Sequence, residues 1–307
     1  MAILIILPEK QAEEVRNLLL QKIPDEQIFI WPEIGAAENI EIAVTWNHSH
    51  GIFGQFPNLK LIASYGAGVD HIFADPDLPK EIPVSRFVAD SLSRQMADYV
   101  AGAILAHRLR LVDYREYQAA GHWTPHAPRA GNRVTILGLG ELGSRTAEQL
   151  TRMDFEVSGW SRSRKSLDNC TCYAGRKELG IAVNDADYVV CLLPLTAETR
   201  GILNRNLFNM MKEGAYLINA ARGDHLVVDD LLDALYQGRL AGACLDVFEI
   251  EPLPGDSPLW RHPRILITPH IASISRSDDM ADYILENYQA LRGGTPLANL
   301  VDSALGY

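Results

Sequence analysis

The chain has 307 residues, 47% hydrophobic and 22% charged, which is long enough for two domains of the ~100–200 residues that are typical. Acidic residues outnumber basic ones 39 to 28, and the formal charge of -11 argues against a nucleic-acid partner. The opening MAILIILPEK has no basic segment before its short apolar run, and nothing approaches the ~18 apolar residues of a membrane span. It reads as a first strand, with no membrane partner and a cytoplasmic location expected.

Residues 2–7 predict a strand, and residues 11–21 a helix with Val15, Leu18 and Leu19 on one face. Short strand candidates follow at 27–31, 42–46, 59–64 and 84–87. Residues 92–120 form the longest helical stretch, which ends before Gly121 and the loop GHWTPHAPRAG. A second block then alternates the strand candidates VTILG, FEVSGW, DYVVCLL, AYLINAA, GACLDVF and ILITPH with helices, clearest at 141–152 and 229–236. Helical periodicity returns over 276–291. Strands separated by helix-length segments predict an α/β protein of two blocks, each with a parallel sheet and crossover helices.

No metal is expected. Cys170 and Cys172 form a C-x-C without a second pair, and Cys191 and Cys244 sit in apolar runs that predict burial. His48 and His50 read as ordinary loop polarity, His71 after Asp70 needs no metal, and Met210 and Met211 read as core at a helix end. Trp46 suits either the wall of a small pocket or the first-domain core, and Arg86 either a cleft or the surface.

The sharpest motif is VTILGLGELG, in which Gly138, Gly140 and Gly143 form G-x-G-x-x-G between a strand and a helix. The first glycine permits the turn, the second a close approach of backbone to a pyrophosphate, and the third close helix–strand packing. A dinucleotide is therefore expected, its pyrophosphate at the helix start beside Glu141 and Leu142. The following strand ends without the carboxylate that holds a ribose diol in NAD sites. Instead it runs into Ser161, Arg162, Ser163, Arg164 and Lys165. Guanidinium groups there suit a 2'-phosphate, so NADPH is the preferred cofactor, with NADH possible and Arg162 ahead of Arg164. The alternative is an exposed basic loop.

Three later side chains sit just past strand candidates: Arg222 in NAARG, Glu251 in LDVFEIEP and His270 in ITPH. A histidine can donate a proton near neutral pH, a carboxylate can fix its ring, and a guanidinium fork can hold an anionic substrate. Together they suit reduction of a 2-oxo acid; taken singly, a surface ion pair, a turn residue and a cap explain them equally well.

The ordered set GLGELG, NAARG, LDVFEIEP and ITPH resembles the D-isomer-specific 2-hydroxyacid dehydrogenases over almost the whole chain. Within that family, YGAGVD, GWSRSRKS, YAGRKEL, SPLWRHPR and the closing ALGY are similar to the NADPH-preferring bacterial glyoxylate/hydroxypyruvate reductases. The resemblance implies a flavodoxin-like substrate domain over 1–95 plus 276–307 and a Rossmann-type nucleotide-binding domain over 96–275, both doubly wound. It makes His270 the general acid, Glu251 its orienting partner and Arg222 the clamp on substrate. The loop of Tyr65, Gly66, Ala67 and Gly68 would grip the carboxylate through backbone amides, with Trp46 and Tyr65 narrowing the pocket. Leu193, Pro194, the backbone of Ala220, Arg222, Asp246 and His270 match cofactor contacts, with Asp246 on the nicotinamide carboxamide. A homodimer joined through the nucleotide domains is implied, with the 92–120 helix contributing. Glyoxylate and hydroxypyruvate are the expected substrates; other D-2-hydroxyacid activities and a non-catalytic nucleotide sensor are the alternatives. The Glu251–His270 pair argues against formate dehydrogenases, whose pattern places glutamine at the first position. The role of Gln95 or Asp98, near where many members carry a glutamate, stays open.

Overall fold

The structure is a computed structural model and describes residues 1–303, 305 and 306; of the closing ALGY string, Ala304 and Tyr307 lie outside the described residues. The chain divides into two compact units, Met1–Ser91 with Ser275–Tyr307, and Leu92–Ile274.

The first unit contains β1 (Ala2–Ile6), α1 (Glu9–Lys22), β2 (Gln27–Ile30), β3 (Ile40–Thr45), β4 (Leu61–Ser64), α2 (Asp70–Phe73) and β5 (Val84–Ser85). Its strands are all parallel, in the order β2-β1-β3-β4-β5, the flavodoxin-like doubly wound arrangement. The strands β1 and β4 are buried throughout, so they read as apolar runs without alternation, as a sheet covered on both faces requires. The sheet ends shorter at 84–85 than the sequence suggests, because Arg86 and Phe87 donate their amides to Asn299 and Gly66 and leave the ladder.

The second unit carries α3 (Asp90–Arg108, entering from the first), α4 (Leu111–Ala119), β6 (Arg133–Leu137), α5 (Glu141–Arg152), β7 (Glu156–Ser161), β8 (Cys170–Ala174), α6 (Gly175–Val183), β9 (Tyr188–Cys191), α7 (Arg205–Met210), β10 (Ala215–Asn219), α8 (Val228–Tyr236), β11 (Leu240–Leu245) and β12 (Ile265–Ile267). The final helix, α9 (Ser277–Gly293), returns to the first unit and packs on α1, with Lys22 and Asp282 2.8 Å apart between them. The seven strands run β12-β11-β10-β9-β6-β7-β8, the Rossmann order extended by one. Period 2 sorts their side chains into two cores: Leu137, Val189, Leu217 and Leu245 on one face, Ile136, Val190, Ile218 and Cys244 on the other. One transverse row, Trp160, Leu137, Cys191, Asn219, Leu245 and Ile267, is in register at the C-terminal ends of six adjacent strands. Just past that row lie Ser161, Gly138, Leu192, Ala220, Asp246 and Thr268.

The single helix expected over 92–120 is two. Arg110 takes a left-handed backbone (φ 60°) between α3 and α4, and its guanidinium donates to Ala127 O (3.0 Å) and Asp113 Oδ2 (2.9 Å). Strand β8 and helix α6 escaped the sequence reading, while α7 ends at Met210, where a helix end was expected. Met211 is buried but Met210 is 45% exposed, so only one of the pair is core. Cys191 and Cys244 are buried free thiols. His48 is not loop polarity: its side chain is fully buried, with Nε2 3.3 Å from Asp75 Oδ2.

His107 on α3 stacks on Tyr216 (4.0 Å between centroids, 25°), with Tyr188 edge-on. Burial, reinforced by the nearby charges of Arg129 and Arg110, lowers its pKa to about 4. The unfolded chain therefore binds this proton between about pH 4 and 6.5 while the folded chain does not, and stability falls as pH drops through that window. His107→Phe should flatten the fall in urea midpoint from pH 7 to pH 5; an unchanged slope would assign it to other groups.

Candidate active site

Two of the three motif glycines are required by the chain itself. Gly138 has φ 107°, and a Cβ there would lie 2.6 Å from Leu192 O; at Gly143 it would lie 1.8 Å from Gly138 O. Gly140 is different, because a Cβ there would meet nothing within 4 Å. Its bare backbone, at the N-cap of α5 beside Glu141 and Leu142, faces open space where a diphosphate fits the helix N-terminus. The turn stands between β6 and β9, where the strand order reverses, the position at which doubly wound sheets bind ligands. Leu193 and Pro194 leave β9 beside it.

The loop after β7 is a structured basic lip. Ser161 Oγ donates to Ser163 O at 2.7 Å, while Arg162, Ser163, Arg164 and Lys165 are exposed. Arg164 donates to Cys172 O (2.8 Å) and to Glu178 Oε1 (2.5 Å). Glu178 also accepts from the Ala174 amide, and that bond, with Arg164, holds its carboxyl below the ordinary range. Arg164 thus already has a carboxylate partner, and Glu178 is a member of this lip that sequence reading missed.

Arg222 follows β10, donates from Nη1 to Ala221 O at 2.7 Å, and accepts at its own carbonyl from Asn219 Nδ2 at 3.0 Å. His225, fully buried, places Nδ1 3.2 Å from that carbonyl and Nε2 3.3 Å from Pro194 O. His270 has a left-handed backbone (φ 54°), which costs a non-glycine residue roughly 1–2 kcal/mol and must be held by its surroundings. Its amide donates to Asp246 O at 2.8 Å. Its Nδ1 lies 2.7 Å from Glu251 Oε2, and Glu251 Oε1 accepts from the Phe248 amide at 2.9 Å. A carboxylate only accepts, so Nδ1 carries a proton and Nε2 is the nitrogen left for other partners. Burial opposes ionisation of Glu251, but the His270 and Phe248 hydrogen bonds and the charges of His270 and Arg222 outweigh it, and its pKa is lowered. That Arg222 acts on Glu251 brings the three sequence candidates into one electrostatic neighbourhood. His270 and Glu251 remain partly open, at 36% and 35% side-chain exposure.

Asp246, only 1% exposed, accepts from Thr268 Oγ1, Ile271 N and Ala272 N. Gln95 bonds both backbone groups of Ile274, and Asp98 accepts from Gln149.

In the first unit, Ser64 Oγ donates to Gly68 O (2.8 Å) and accepts from the Gly66 amide (3.2 Å), folding the loop after β4 on itself. Among the described residues, the amides of Ala67 and Gly68 have no acceptor. Tyr65 is anchored by its backbone, to Thr45 O and to Ser275 Oγ. Trp46 lies against Gly66, where a Cβ would come within 2.6 Å of its ring, and packs on His71 at 4.4 Å.

The profile of the D-isomer specific 2-hydroxyacid dehydrogenase NAD binding domain matches residues 101–272. A glyoxylate/hydroxypyruvate reductase A of Serratia proteamaculans is 40% identical over the full length of both chains. The chain belongs to the D-isomer-specific 2-hydroxyacid dehydrogenase family. A family member from Xanthobacter autotrophicus, solved with NADPH and MES, superposes with a TM-score of 0.94 at 37% identity, covering 99% of each chain. An NADPH-dependent glyoxylate/hydroxypyruvate reductase from Sinorhizobium meliloti, solved with NADP and sulfate, gives 0.93 at 32% identity over the whole of both.

As a D-2-hydroxyacid dehydrogenase, the protein is an oxidoreductase that uses a nicotinamide dinucleotide to reduce small 2-oxo acids by hydride transfer. Among the described residues, no helix is long and apolar enough to cross a membrane, and no cluster of three or more side chains could hold a metal ion.

Proposed function

We propose that the enzyme is an NADPH-preferring reductase of glyoxylate and hydroxypyruvate, giving glycolate and D-glycerate. The 2.7 Å contact between His270 and Glu251 carries the chemical part of this reading, and the carboxylate-free lip of Ser161–Lys165 the cofactor part. The unit bearing the glycine turn takes the nucleotide and the other unit the substrate.

Gly138, Gly140, Glu141, Leu142 and Gly143 hold the diphosphate, and Ser161, Arg162, Ser163 and Arg164 the 2'-phosphate. Arg162, the first cation after β7, is the first candidate there, and Arg164, which also holds Glu178, the second. Leu193, Pro194, Ala220, Arg222, His270 and the remaining lone pair of Asp246 face the nicotinamide end. When bound, the reduced cofactor supplies hydride to the substrate C2. His270 gives the proton on Nε2 to the carbonyl oxygen, so hydride and proton together convert C=O into CH–OH. Glu251 keeps the ring oriented with Nδ1 protonated, stabilising the cationic form before transfer. Arg222 offers its fork to the carboxylate and the carbonyl oxygen. The Ala67 and Gly68 amides take the carboxylate, and Trp46 and Tyr65 limit the size of what C3 carries.

A homodimer formed through the nucleotide-binding unit completes this reading. In its support, α4 buries none of its residues and Trp123 is 98% exposed.

The test is a matched set of initial rates with NADPH and NADH on glyoxylate, hydroxypyruvate and pyruvate. A large NADPH preference with the first two acids fastest is expected. A preference for NADH removes the basic-lip reading, and poor rates with all three acids remove the substrate assignment.

A further inference from the structure

Thr268, two residues before His270, makes no contact that the reaction requires, yet it sits at the centre of a partly buried polar chain. Its Oγ1 is 2.6 Å from Asp246 Oδ1 and 2.6 Å from Tyr99 Oη, and Tyr99 Oη is 3.2 Å from Cys244 Sγ. All four groups belong to the nucleotide-binding unit, and Asp246 and Cys244 are each 1% exposed.

The protons in this chain can run only one way. An ionised carboxylate accepts, so Thr268 donates to Asp246. Thr268 has one proton, so its oxygen must accept from Tyr99. Tyr99 has then used its own proton, and Cys244 donates its S–H to the tyrosine oxygen. Burial supports that order by raising the pKa of Tyr99 and pushing the Cys244 thiol up to about 11, so both keep their protons.

Asp246 is the residue on which this chain ends and on which the His270 turn hangs. Its Oδ1 accepts from Thr268 and from the Ile271 amide (2.9 Å), its Oδ2 from the Ala272 amide (2.9 Å), and its carbonyl from His270 itself. Three of about four carboxylate acceptor sites are filled by the chain. The Thr268 bond is the one that comes from the strand side of the turn. Without it, the carboxylate can rotate toward the 271–272 amides, and the left-handed backbone of His270 loses its fixed reference.

We infer that Thr268, with Tyr99 behind it, is a positioning residue that fixes the turn presenting the His270 imidazole. This rests on the reading of His270 as proton donor. Thr268→Val keeps the shape and removes both hydrogen bonds, Thr268→Ser restores the hydroxyl, and Tyr99→Phe breaks only the far link.

The experiment is single-turnover reduction of glyoxylate with NADPH, alongside NADPH dissociation constants and His270 ring resonances by NMR without cofactor. Thr268→Val should lower the single-turnover rate at saturating NADPH about 10-fold or more, weaken NADPH binding by less than that through the loosened Asp246, and shift or broaden the His270 resonances. Thr268→Ser should return all three close to wild type, and Tyr99→Phe should fall between. Wild-type rate and resonances in Thr268→Val, or failure of Thr268→Ser to rescue, would overturn the assignment. If His270→Asn retains full turnover, the proton-donor reading fails instead, and the ring resonances still decide whether Thr268 positions this turn.

Discussion

His270→Asn is expected to lower kcat for glyoxylate reduction by about 10²–10⁴-fold, the usual range for a general acid, while NADPH still binds within about threefold. Asparagine is the informative replacement because position 270 has a positive φ, a conformation that asparagine tolerates better than most residues. It preserves the turn held by Asp246 and removes only the imidazole, too short to reach where Nε2 stood. Glu251→Gln should cost less, because the ring remains and loses only the charge that orients it. Since the Glu251 pKa is lowered, its charge persists until pH falls through a value below the ordinary carboxylate range, and above that the Glu251 contribution is constant. Retention of more than about a tenth of wild-type kcat in His270→Asn would remove histidine from the chemical step.

Arg162→Ala is expected to raise the KM for NADPH about 10–100-fold and to change that for NADH less than threefold, since a charge-assisted bond to phosphate contributes about 1.5–3 kcal/mol. Arg164→Ala should do less to NADPH directly, because its guanidinium is divided between Cys172 O and Glu178. The Arg162 effect should shrink as salt rises, because an exposed cation is screened. Equal losses for the two cofactors would mean that Arg162 supports the lip without reading the 2'-phosphate.

The parts of this molecule carried by local pattern were legible from sequence. The glycine turn, the buried apolar strands and the bounds of α5 all follow from spacing and residue type within a dozen positions. The left-handed Arg110 was not legible, because what offsets its strain is a bond to Ala127 that becomes available only once the chain has turned back. Strand β8 mixes cysteine, threonine and tyrosine at the sheet edge, with neither alternation nor a continuous apolar run. His48 looked like a loop residue because its partner Asp75 lies 27 positions away. At the site, Arg222, Glu251 and His270 were visible as residue types at strand ends. The groups that hold them, His225, Thr268 and Tyr99, were not, since Tyr99 and Thr268 are 169 residues apart.

The transverse row that ends six strands also bears on how such an enzyme changes. Because Trp160, Leu137, Cys191, Asn219, Leu245 and Ile267 are locked in mutual register, each segment leaving the row starts from a fixed origin. A one-residue slip in any strand would turn its whole apolar set to the opposite face, so intermediate registers are closed to a drifting sequence. Novelty is thereby confined to residues downstream of the row, where the Ser161–Lys165 loop, Arg222 and His270 occupy separate exits. Each can be exchanged on its own, and a descendant could acquire a different cofactor without disturbing its acid, or a different substrate without refolding its sheet.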